Sequence, residues 1–61
     1  MPDVDELVAQ LHAIEETLRE LAYDRVQAAA DGETGAADDE KRLHQARRAV
    51  ERAIHALDRE R

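Results

Sequence analysis

Val4, Leu7, Leu11, Ile14, Leu18 and Leu21 follow one another at spacings of three and four. A helix turns once in about 3.6 residues, so this alternation lays six apolar side chains along one narrow seam. It is the a/d pattern of a coiled coil, with Val4, Leu11 and Leu18 at a and Leu7, Ile14 and Leu21 at d. Such a helix is made to pack on other helices. Past Leu21 the seam weakens, because the next a position holds Arg25 and the next d position Ala28.

The flanking residues set the expected bounds. Asp3 can cap the first turn, and Glu6 three residues later completes a capping-box pattern. Pro2 lies outside the hydrogen-bond ladder, where its missing N–H does no harm. Gly32 is the expected stop. The spacing predicts helix 1 over about 3–31, a turn over 32–37 and helix 2 over about 38–60, capped by Thr34 or Asp38. In the second segment Leu43, Val50 and Leu57 recur every seven residues, with Ile54 between them. Ala46, Ala49, Ala53 and Ala56 add a small-residue surface suited to close approach. The expected fold is all-α: one domain over 1–61, an antiparallel two-helix hairpin of coiled-coil type. With the turn centred near Thr34, Leu18 should meet Val50, Ile14 should meet Ile54, and Leu11 should meet Leu57. Leu21 should then face Arg47, and Arg25 should face Leu43.

A chain of 61 residues folding as two helices buries little. Small scaffolds need a staple, and the absence of cysteine excludes a disulfide or a thiolate zinc site. Self-association remains. Two hairpins forming a homodimeric four-helix bundle are the simplest closed solution. The packing seam would be Leu7, Leu11, Ile14, Leu18, Leu21, Leu43, Val50, Ile54 and Leu57.

The formal net charge is -6, which argues against direct nucleic-acid binding and against an anionic membrane surface. The charge is unevenly spread. Residues 1–31 hold eight acids and two bases, whereas residues 41–61 hold seven bases and three acids. An acidic helix and a basic one suit side-by-side packing, within the chain or across a dimer. No stretch is apolar enough to span a bilayer and no signal-peptide pattern is visible, so the cytoplasm is the default location.

Arg25 and Arg47 stand out because they fall on or beside the seam. A charged residue there sacrifices stability for register or partner choice and must find a carboxylate, a carbonyl or an anionic ligand. The plainer reading has their stems covering the seam while the guanidinium groups pair with Glu20, Asp24 or Glu51. Glu15 with Arg19 and Arg47 with Glu51 have the spacing of i,i+4 pairs. His12, His44 and His55 are the neutral metal ligands on offer, but no duplicated His–carboxylate pair accompanies them. They read as solvent-exposed side chains, with a metal-binding bundle as the weaker alternative. There is no Ser or Cys nucleophile, no phosphate loop and no cleft-forming bulk, so no enzyme is expected. The leading reading is a non-catalytic, regulatory protein–protein interaction module.

Glu16, Glu20, Tyr23, Gln27 and Asp31 lie at spacings of four, three, four and four. This row resembles the motif of the cyclic-di-GMP-responsive anti-sigma factors of actinobacteria, which read Glu, Ser, Arg, Gln, Asp at the same spacings on a helical hairpin. Glu16, Gln27 and Asp31 match; Glu20 replaces the Ser and Tyr23 the Arg. In helix 2 the same spacing lands on Glu40, His44, Arg47, Glu51 and His55, where Glu40 and Arg47 match. The resemblance implies a dinucleotide ligand held near Glu16, Gln27, Asp31 and Arg47, with Arg25 standing in for the missing Arg. It also implies a sigma factor as partner.

Overall fold

The computed structural model describes residues 3–58. Two helices make up the fold, α1 (Val4–Ala30) and α2 (Ala36–Asp58), and no strand occurs among the described residues. Pro2 and the expected last residues of helix 2, 59 and 60, lie outside the described residues. No described helix is long and apolar enough to cross a membrane.

Each helix end has a local cause. Asp3 keeps extended backbone, and its Oδ1 accepts from the Glu6 N–H at 2.8 Å. This satisfies one of the open donors of the first turn, and the carboxylates of Asp5 and Glu6 suit the positive end of the dipole. At the other end, Gly32 adopts a left-handed φ of 85°. Its N–H donates to the Ala29 carbonyl at 3.0 Å, and that of Glu33 donates to the Ala28 carbonyl at 2.9 Å. Those two bonds form a Schellman cap, which a side chain with a Cβ enters only under strain. Gly35 repeats the left-handed φ of 85°, and its carbonyl accepts from the Asp39 N–H at 3.0 Å. Helix α2 therefore starts at Ala36, with Gly35 before it. Thr34 and Asp38, expected as caps, do not serve: Thr34 lies in the turn, and Asp38 lies inside the first turn of the helix.

The connection over 31–35 folds α2 back along α1 into a rod measuring 45 × 16 × 14 Å. Val8, Glu15 and Ala22 are the buried residues of α1, spaced seven apart; Ala36 and Ile54 are those of α2. Leu11, Leu18 and Arg25 are half-buried, as are Leu43, Arg47, Val50 and Leu57. In contrast, Leu7, Ile14 and Leu21 remain 41, 49 and 48 % exposed. The a row thus borders the contact, but the row that closes it is e rather than d. On a helix with about 100° between successive residues, this is a turn of about 50°. Ile14 consequently does not share the burial of Ile54, contrary to the expected central layer. The reason is size. An inner row of Val8 and Ala22 lets the backbones approach, whereas a d row of Leu and Ile would hold them apart. The most deeply buried residues are Ala22 and Ala36, 2 % and 0 % exposed. The expected alanine stripe is not among them: Ala46, Ala49 and Ala56 are exposed and Ala53 half-buried.

Ile54 is the only buried large apolar side chain on α2, and Val8 the only one on α1. Full burial of a side chain of this kind is worth about 1.5–3 kcal/mol, so the hairpin's own core is thin.

Candidate functional site

Helix α1 carries three adjacent rows that are mainly apolar, e, a and d, interrupted by Glu15 in e and Arg25 in a. A helix with a single partner needs a narrower stripe, and a width of three rows matches a helix with two neighbours in a bundle. Within the hairpin, α2 covers the e side. The d side remains open along the rod. Its middle is uncharged, a shallow groove lined by Ala13, Ile14, Thr17 and Leu18. Toward the turn it continues into a second groove that involves both helices. Leu21 and Leu43 form its apolar part, and Asp24, Arg25, Asp39 and Arg42 its charged rim.

The charges on that rim differ in their engagement. The Arg25 guanidinium donates from Nη2 to Asp24 Oδ2 at 2.8 Å and from Nη1 to Glu33 Oε1 at 3.2 Å. These hydrogen bonds, Asp24 first and Glu33 second, hold it still more firmly protonated than an ordinary arginine. Arg25 thereby ties the last turns of α1 to the connection. The side chains of Asp39 and Arg42 make no hydrogen bond or ion pair among the described residues.

The structure does not gather the five candidate ligand residues. Glu16, Gln27 and Asp31 are exposed, together with Glu20 and Tyr23 of the same motif. Arg25 and Arg47 are half-buried toward the helix contact. Arg47 Nη1 donates to Glu51 Oε1 at 3.2 Å, while its buried Nε lacks a partner among the described residues. Of the expected partners, Asp24 and Glu51 are the ones these two arginines use. Asp31 serves as the C-terminal cap residue of α1, its N–H donating to the Gln27 carbonyl at 3.1 Å.

Glu15, which the sequence shows as one half of an i,i+4 pair with Arg19, is buried to 8 % exposure. Both of its carboxylate oxygens accept from Arg19 Nη2, at 2.7 and 2.8 Å. The signal was its position seven residues from both Val8 and Ala22. His44 Nε2 lies 3.2 Å from Glu40 Oε1. His12 and His55 are exposed, and no three potential metal-ligating side chains come together among the described residues. On the outer side of α2, Lys41, Arg48 and Arg52 are exposed beside His44, Gln45 and His55.

No protein-family model matches the chain, and no curated protein or solved structure shows similarity to it.

Proposed function

We propose that the chain is a non-catalytic, regulatory protein–protein interaction module that docks helices on the open side of α1. The observation that carries this reading is the exposed row Leu7, Ile14 and Leu21 on a regular helix. Apolar side chains scattered singly over a surface mean little, but three in line, continuous with a groove between the helices, form a patch. The net charge of -6 and the absence of basic side chains from the middle of the patch suit a protein partner rather than a nucleic acid. Two hairpins face to face form a four-helix bundle, the smallest assembly that covers the row.

Sedimentation equilibrium at micromolar concentration tests the reading. The purified chain is expected to sediment above its monomer mass of 6.9 kDa. Ile14→Asp, which sets a carboxylate in the middle of the row, is expected to return it to that mass. A stable, helical monomer for the unaltered chain rejects the proposal.

A second reading, a cyclic-di-GMP-responsive anti-sigma factor, draws on one feature. Glu16, Glu20, Tyr23, Gln27 and Asp31 all stay exposed along α1, accessible to a ligand. Isothermal titration with cyclic di-GMP decides it, and the absence of binding heat at several temperatures dismisses it.

A further inference from the structure

We infer that the occupant of the open face is a second copy of this chain, seated with both turns at the same end and each α1 lying over the partner's α2. This inference rests on the docking face and self-association proposed above and adds the orientation of the two copies and the contact that fixes it. Three observations carry it.

The first is area. The hairpin exposes 4768 Å². A compact monomer of this mass exposes roughly 4000 Å². The excess is close to the roughly 800 Å² that one partner contributes to a standard interface.

The second is charge. A two-fold axis can relate two face-to-face hairpins in two ways. With the turns at opposite ends, α1 lies on α1 and α2 on α2, which sets the six acids and two bases of α1 against themselves. With the turns together, each acidic α1 meets an α2 of balanced charge, five acids and five bases, rather than a second acidic helix. The rim fits the second arrangement. Among the described residues Arg42 makes no hydrogen bond or ion pair, and Asp24 uses only Oδ2 toward Arg25. Both border the same groove, so Arg42 of each copy meets Asp24 of the other, twice by symmetry.

The third is shape. The open side of α1 presents Leu7, Ile14 and Leu21. On the same side of α2, Ala46 and Ala53 stand one and two heptads beyond Asp39, which lines the groove with Leu43. With the turns together, large side chains seat on small ones. The opposite arrangement stacks large on large and alanine on alanine, which packs poorly.

The chain has no cysteine, so Thr34→Cys in the exposed turn accepts a single nitroxide. Neighbouring bundle helices lie about 10 Å apart, so pulsed electron resonance should give one label–label distance within roughly 25 Å. A distance near the 45 Å length of the rod overturns the orientation while leaving the docking face intact. Absence of any intermolecular distance, with a monomeric sedimentation profile, overturns both. Charge exchange gives an independent arm. Arg42→Asp and Asp24→Arg should each weaken self-association at least tenfold. An equimolar mixture should form the heterodimer, well above the statistical half by native mass spectrometry. A statistical mixture overturns the Arg42–Asp24 contact and with it the orientation.

Discussion

Two neighbouring rows on α1 differ in both burial and size. Val8, Glu15 and Ala22 are buried against α2, whereas Leu7, Ile14 and Leu21, each one residue earlier, are open. The larger side chains are the open ones. A chain that needed only to close its own hairpin would turn its leucines inward, because burial of each yields about 1.5–3 kcal/mol. Here small residues bring the two helices together, and bulk is held on the side where a further helix can reach it. Closure and docking are thus separate tasks on two flanks of one helix, with Leu11 and Leu18 between them.

The sharpest way to break this contrast is a pair of adjacent substitutions. Ala22→Asp places an unpaired carboxylate in the buried row, at a residue only 2 % exposed. It should cost about 3–5 kcal/mol, a large share of the stability of a domain this small. Circular dichroism should show the helical signal lost at every protein concentration. Leu21→Asp, one residue away, should leave the urea midpoint of dilute protein unchanged and raise the dissociation constant of the assembly at least tenfold. If both variants unfold alike, the two rows do not have separate roles.

A smaller effect sharpens the inner row. Glu15→Leu removes its one charge and leaves Arg19, which is largely exposed, free in water. Replacement of a buried ion pair by an apolar side chain is often neutral or stabilising, so the melting temperature should hold or rise by a few degrees. A fall would show that the Glu15–Arg19 bridge contributes to hairpin stability. Arg19→Ala is the converse. It strips the bridge from a carboxylate that remains buried and should cost about 1 kcal/mol in a urea titration.

The two helices and the glycine break between them were legible in the sequence, because seam spacing and capping residues are local signals. Asp3 caps α1 and Gly32 ends it for reasons that need no knowledge of α2. The side of α1 that faces α2 was not legible from the same spacing. The leucines and isoleucine dominate any reading of periodicity, and the e row is easily passed over because alanine is small and Glu15 is charged. Its apolar members, Val8, Ala22 and Ala29, are visible in hindsight as a third row beside the seam. The start of α2 was misplaced for a related reason. Thr34 and Asp38 have better capping side chains, but the left-handed backbone at Gly35 decides where the helix begins. The candidate ligand residues show the limit of a motif on one helix: spacing aligned Glu16, Gln27 and Asp31, while the arginines meant to join them are engaged elsewhere.

The turn has a consequence for the order of events. Gly32 and Gly35 both hold left-handed backbone in a connection flanked by good helix formers, Ala28–Ala30 on one side and Ala36 and Ala37 on the other. Without these two residues the local preferences would favour one unbroken helix. By reversing the chain within a few residues, the turn presents α2 to α1 at an effective concentration in the millimolar range. A second chain at micromolar concentration competes about a thousandfold less well for the same flank. Each molecule therefore closes on itself before it meets another, and what it then offers to other molecules is the flank its own second helix cannot reach.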